Sequence, residues 1–346
     1  MPGTHILGVI RLSKRLRAIC ALGLAIALVL HVATAVAQTA ASQQTWQMTT
    51  EYPQSSVSGI GLVSFAKHVS DRTGGQLTVT AAFDNQLKIS SSEMPRATNE
   101  GRITGGDAFA GALSGLDAVF GLSTLPFVVP SVDVARAVNA RARPLYERAL
   151  RAQGLKLLYL TIWPSTGLWS DRPLGDVAAL QQLSMRTYDS SSADVMRAAG
   201  SAAEFLPMGA AMDGLKARKL NAFLTSGDGG VGRKLWDYLP YFTAIHYAMP
   251  VTLAFVRSDT FDALPAEAQK QVLAAAAETE QGQFELLGNR TAENYARMRE
   301  SGVTITEPAP AAVAAALRAA AAAPVAAWKA RAGSEAVAII DWAIKQ

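Results

Sequence analysis

A chain of 346 residues, half of them apolar and 17% charged, with mean hydropathy +0.15, can bury a sizeable core and is long enough for about two domains. Those values exclude intrinsic disorder, and 27 Gly with 15 Pro exclude a fibrous repeat. A net charge of +4 with a pI near 9.2 would ordinarily point to nucleic acid or an anionic membrane, so the position of that charge decides its meaning.

Arg11, Lys14, Arg15 and Arg17 precede an uncharged stretch, residues 18–37, that holds Leu22, Leu24, Ile26, Leu28, Val29 and Leu30 and ends in Ala35-Val36-Ala37. A basic head, an apolar stretch and an A-x-A site together predict a cleavable secretory signal over residues 1–37 and a periplasmic product. An uncleaved anchor is the other reading, since about twenty uncharged residues just span a bilayer. His31 and the small residues at the end favour cleavage. Cys20 lies ahead of most of the apolar stretch, so a lipid anchor there is not expected. No later segment reads as long and apolar enough to span a membrane.

The leader holds four of the 32 Lys and Arg and none of the 28 Asp and Glu, so 28 of each sign remain beyond it, with no cysteine. Thiol nucleophiles, disulfides and thiolate zinc sites are thereby excluded. Only His68 and His246 remain, too few for a multi-histidine metal centre, and no metal or cofactor is expected. The balanced charge also removes the case for a nucleic-acid partner.

Beyond the leader, residues 46–50 read as a strand and 59–73 as a helix, with Ile60, Val63, Ala66 and Val69 on one face and Gly74-Gly75 ending it. Residues 77–80 form a second strand. A helix at 93–100, small residues at 105–112, a Pro-bounded turn at 126–130 and an amphipathic helix at 132–150 follow. Residues 155–163 are a nearly continuous apolar run, as for a strand buried on both faces. A strand at 183–187, helices at 193–199 and 212–218 and a strand at 251–257 repeat the rhythm. Asp262-Ala263-Leu264-Pro265 then opens a helix that runs to Ser301, and Ala-rich and terminal helices close the chain. Alternating strands and helices predict an α/β fold with helices on both sides of the sheets.

Enzyme motifs fail one by one. Gly59-Ile60-Gly61 lacks the third glycine of a dinucleotide fingerprint. The run 227–234 approaches a phosphate loop but has Arg233 where Lys is needed, and reads as a mobile loop. Ser114 is one position out of a G-x-S-x-G elbow. His68 reads as a surface residue and His246 as a hydrogen-bonded core histidine, so no catalytic residue is assigned. An exported, cysteine-free, two-domain α/β chain has the profile of a solute-binding protein whose lobes close by a hinge.

Seven short stretches, in order, resemble the extracytoplasmic solute receptors of TRAP transporters, the DctP-like family. They are Phe65-Ala66-Lys67-His68-Val69-Ser70 with Gly74-Gly75-Gln76-Leu77; Gln86-Leu87, with Lys88 where Gly is usual; Leu125-Pro126-Phe127; Leu183-Ser184-Met185-Arg186; Leu206-Pro207-Met208; Thr243-Ala244-Ile245-His246; and residues 264–269. The resemblance implies a two-lobed type II periplasmic-binding-protein architecture with a hinge and a long helix in the C-terminal half. Residues 43–163 with 250–288 would form lobe I, and 164–249 with 289–346, including the C-terminal helices, lobe II. It implies a receptor that carries a small organic acid to a permease of one small and one large membrane subunit, driven by an ion gradient.

By the same resemblance Arg186 holds the ligand carboxylate. A planar guanidinium matches a carboxylate through two parallel hydrogen bonds, although an arginine at a strand end also serves in structural ion pairs. Trp163, Trp169, Tyr52 and Phe109 are candidate aromatic walls, with core packing the other reading for the two tryptophans. Met208 and Thr225 are further contacts by register. Residues 220–226 depart from the family's V-D-G-x-E-N-P stretch, and a second arginine is missing near Thr166 or Gly167. One arginine and many aromatics therefore predict an oxo-, hydroxy-, cyclic or aromatic monocarboxylate. The receptor of an ATP-driven importer or a sensor kinase, and an exported hydrolase with an Asp/Glu pair, are the alternatives.

Overall fold

The computed structural model describes residues Gln43–Gln346, so the signal assigned to residues 1–37 and Cys20 lie outside the described chain. In chain order the elements are β1 (Gln44–Thr50), α1 (Val57–Arg72), β2 (Leu77–Ala82), α2 (Met94–Asn99), β3 (Gly105–Phe109), α3 (Val132–Ala152), β4 (Leu155–Ile162), β5 (Thr166–Ser170), α4 (Val177–Gln181), β6 (Ser184–Thr187) and α5 (Ser190–Ala198). Then come β7 (Ala202–Phe205), α6 (Met208–Lys216), β8 (Ala222–Ser226), α7 (Gly227–Gly232), β9 (Tyr241–Thr243), β10 (Val251–Arg257), α8 (Ser258–Asp262), α9 (Ala266–Glu300), β11 (Thr304–Thr306), α10 (Ala311–Lys329) and α11 (Gly333–Ala343).

The strands form two sheets. One has the order β2-β1-β3-β10-β4, with β1 parallel to β3 and β10 antiparallel to both its neighbours. The other has the order β11-β9-β5-β8-β6-β7, in which β5 runs antiparallel to β8 and β9. The chain passes to the second sheet at residues 163–165 and returns at 244–250. Helix α9 packs on α1 and β4 of the first sheet and on α7 and β11 beside the second. Thr45–Gln346 is thereby one compact unit.

Strand alternation sorts the first core into two. Ala254 and Val256 of β10 join Trp46, Phe65 and Tyr159 under α1, whereas Leu253 and Phe255 join Val138 and Tyr146 under α3. Leu168, Trp169, Phe223 and Phe242 fill the second sheet's core.

Several expectations are corrected here. The end of 289–346 does not stay with the second sheet: Ala336, Ile339, Ile340 and Ala343 of α11 lie in the core of the first, against α3. Their i, i+3, i+4, i+7 stripe marks a helix but not the sheet it covers. Helix α10 is long and apolar enough to cross a membrane by length and composition, with mean hydropathy 1.5, where no such segment was expected. Its hydropathy rests on alanine, and Val313, Leu317 and Ala321 bury one face while the helix packs against α5. Strands β5, β7, β8, β9 and β11, of three to five residues each, escaped the sequence reading, whereas the equally short β6 was read at 183–187. Those of β5 and β8 are buried throughout and so show no alternation.

Residues 227–232 are not a mobile loop but the buried helix α7. A Cβ on Gly230 would stand 2.1 Å from Trp169 Cζ2, so this glycine permits a close approach of backbone and indole. His246, expected in the core, is exposed at φ +47, with Nδ1 3.3 Å from Ser165 Oγ and Nε2 3.3 Å from Glu307. His68 is half-buried, its Nδ1 3.1 Å from Thr279 Oγ1.

Candidate functional site

Arg186 sits on the short strand β6, between β7 and β8, with 3% of its surface exposed. Its Nε donates to the Leu206 carbonyl at 3.0 Å and Nη1 to the Leu224 carbonyl at 3.4 Å. Among the described residues no carboxylate comes within 4.0 Å of this guanidinium. Burial lowers its pKa from the usual arginine value, an effect that Tyr52 and Glu51 partly offset. A buried charge without a counter-ion is costly, so such an arrangement favours an incoming anion.

The nearby Asp189 is occupied elsewhere. It caps α5, accepting from Ser192 N at 2.7 Å and Ser192 Oγ at 2.6 Å. Burial raises its pKa, against the lowering effect of those bonds.

Beside Arg186, between the two sheets, lies a small cavity of about 20 Å³. Six expected residues meet in its wall: Tyr52, Phe109, Trp163, Arg186, Met208 and Thr225. Tyr52 and Phe109 come from the ends of β1 and β3, Trp163 from the first crossing, Met208 from the start of α6 and Thr225 from β8. The rings of Tyr52 and Trp163 stand 4.6 Å apart, and those of Phe109 and Tyr188 5.1 Å apart. The buried Trp163 indole N–H has no hydrogen-bond partner among the described residues.

Trp169 is the exception. It is wholly buried, its indole N–H donates to the Ser226 carbonyl at 3.2 Å, and its ring packs edge-on against Phe242. It belongs to the core because β5 turns alternate side chains to opposite faces, and Thr166, not Trp169, faces the cavity.

Thr166, Tyr188, Ser226 and Pro250 complete the wall and were missed. Tyr188 was within reach of the sequence, since a residue two after Arg186 on an extended strand shares its face. A second small cavity, of about 10 Å³, shares Tyr52, Phe109, Arg186 and Tyr188 with the first. Glu51, Ser90, Ser91 and Ser92 line it. Among the described residues Arg186 is the only cation lining either cavity. A Cβ on Gly167 would stand 2.2 Å from Phe242 Cζ, which leaves no room for a second arginine there. Among the described residues no three His, Cys, Asp or Glu side chains gather as metal ligands.

Ion pairs and hydrogen bonds beside the cavities tie the sheets together. Asp228 of α7, buried, accepts from Arg290 Nε at 2.5 Å, Val57 N at 2.9 Å and Asn294 Nδ2 at 3.1 Å. Arg233 reaches from the end of α7 to the Glu51 carbonyl at 2.7 Å and to Asp84 at 2.5 Å.

The model of the bacterial extracellular solute-binding protein family 7, DctP, matches residues 48–329. The chain belongs to that family. Solved structures agree with this membership. DctP7 of Bordetella pertussis, an extracytoplasmic solute receptor binding pyroglutamic acid, is 26% identical, with a TM-score of 0.82 over 88% of this chain and 100% of its own. DctP6 of the same organism, which also binds pyroglutamic acid, is 24% identical with the same TM-score and coverage. A marine-metagenome TRAP solute-binding protein specific for pyroglutamate is 23% identical, with a TM-score of 0.82 over 88% and 99% of the two chains. No curated protein matches the sequence. The family 7 receptor thus has the two-sheet α/β fold of TRAP solute-binding proteins, as the motifs implied.

Proposed function

We propose that this family 7 receptor is exported to the periplasm, binds a small organic monocarboxylate between its two sheets, and hands it to an ion-gradient-driven TRAP permease of one small and one large membrane subunit. It breaks no bond. The observation that carries the reading is Arg186: buried, paired with two carbonyls and no carboxylate, and facing a cavity walled by Tyr52, Phe109, Trp163 and Tyr188. Each hydrogen bond to a charged group contributes roughly 1.5–3 kcal/mol, and a micromolar complex needs about 8 kcal/mol in all. Aromatic burial and lobe closure supply the rest.

The lobes are residues 43–163 with 250–288 and residues 164–249 with the stretch from 289 up to α11, the crossings at 163–165 and 244–250 serving as hinge. Ligand stabilises the closed form by binding it better than the open one, and the permease reads that form. That DctP7 binds pyroglutamic acid, a compact ring with one carboxylate, supports a ligand of this size and charge.

A thermal-shift screen of the chain beyond residue 37 against carboxylic acids, repeated with Arg186→Ala, tests the reading. Stabilisation should grow with acid concentration and vanish in the variant. A screen in which only sugars or cationic amino acids stabilise the protein would refute it.

A further inference from the structure

The second cavity beside Arg186 is lined by a carboxylate, Glu51, that the proposed carboxylate clamp leaves unused. Glu51 follows β1 in the turn before α1 and is 5% exposed. One of its oxygens, Oε1, accepts from Ser91 Oγ at 2.6 Å, and Ser91 Oγ itself accepts from Phe109 N at 2.9 Å. The Glu51 carbonyl accepts from Arg233 Nη2 at 2.7 Å. Side chain and backbone are therefore both anchored, yet Oε2 has no hydrogen-bond partner among the described residues. Arg186 lines the same cavity and feels the Glu51 charge without forming an ion pair. An anchoring role for Ser91 needs one oxygen only. Glu51 lines the cavity, so this oxygen is open to an incoming donor.

We infer that Glu51 Oε2 accepts a hydrogen bond from the ligand, so the ligand is a small carboxylate whose body also carries an N–H or O–H donor. The inference rests on Arg186 holding the carboxylate: the two groups then hold different parts of one molecule between shared aromatic walls. It narrows the ligand class in a definite direction. Oxo acids, lactones and plain aromatic acids offer no donor to Glu51, and a second carboxylate there would be repelled. A site built to hydrogen-bond a ligand donor rejects analogues lacking it more strongly than an apolar pocket rejects a missing methylene.

Calorimetric titration with four five-membered-ring acids tests this directly. L-Pyroglutamate offers a lactam N–H and L-proline an ammonium. 5-Oxotetrahydrofuran-2-carboxylate puts an oxygen at the same place and cyclopentanecarboxylate a methylene. The better of the two nitrogen acids should bind at least about tenfold more tightly than either donor-free ring, and which of the two it is identifies the donor. In Glu51→Gln the Ser91 hydroxyl keeps the amide oxygen, so the amide N–H₂ faces the cavity and the preference should shrink to within about threefold or reverse. Ser91→Ala, which frees Glu51 without removing it, should weaken the preference as well and serves if the first variant does not fold. Equal affinity for lactam and lactone in the parent, a preference unchanged in Glu51→Gln, or binding of none of the four would overturn the inference. If the ring acids bind with this preference but do so equally well in Arg186→Ala, the carboxylate reading of Arg186 falls and the donor reading of Glu51 stands.

Discussion

Arg186 is held by two backbone carbonyls and forms no ion pair, so its burial is offset only in part, by charges farther off such as Glu51. Replacing buried ionic groups by apolar residues of similar volume is often neutral or stabilising. Arg186→Met should therefore leave the ligand-free Tm unchanged or raise it by about 2–4 °C per kcal/mol gained, while abolishing ligand-induced stabilisation. A large fall in the ligand-free Tm would instead mark a structural ion-pair role. The two tryptophans separate in the same way. Trp163→Phe, at the cavity wall with a free indole N–H, should weaken ligand binding about tenfold. Trp169→Phe should lower Tm through the lost bond to Ser226 and leave affinity within about twofold. Six of the seven residues singled out from sequence meet around one cavity, because strand-end motifs fix which residues sit at the sheet edges that face each other. Trp169 did not, since register alone leaves the face of a buried five-residue strand undetermined. Glu51 was not legible either: a lone acid between β1 and α1 carries no signal until Ser91 and Phe109 are placed beside it.

Among the elements, the long periodic helices, the strands with β-branched runs and β6 were legible, and the other short strands of the second sheet were not. Helix α7 shows why. Its four glycines read as a loop, yet Gly230 is required by the indole of Trp169 and Gly229 by Thr225 Oγ1, which a Cβ would approach to 2.4 Å. Tertiary packing overrides the low helix propensity of glycine here, a contest invisible to local rules. Gly230→Ala should thus destabilise the protein, although alanine is the better helix former, by roughly 1–3 kcal/mol from overpacking. Thermal denaturation would show a Tm lowered by several degrees; a raised Tm would contradict the packing argument.

At the scale of the whole molecule, the two-sheet organisation follows from the alternation of strands and helices, but the return of α11 to the first sheet depends on contacts distant in sequence. Stability as a function of pH also belongs to this scale. Burial raises Asp107, in the middle of β3, to about 7, against the hydrogen bond it accepts from Ser58 Oγ. Its folded pKa lies above the unfolded value of 3.8, so the native state keeps a proton that the unfolded chain releases. That contribution is fully present below about pH 4 and is lost as pH rises to about 7, a change of roughly 4 kcal/mol. Asp107→Asn should abolish the part of the Tm decline that falls between pH 4 and 7; an identical decline in both proteins would contradict this.

The central claim, that Arg186 receives the ligand's carboxylate, is tested most directly by calorimetric titration of L-pyroglutamate into the parent and Arg186→Ala. Losing two charge-assisted hydrogen bonds should weaken binding by at least about 100-fold in the variant. Equal dissociation constants for the two proteins would contradict the claim.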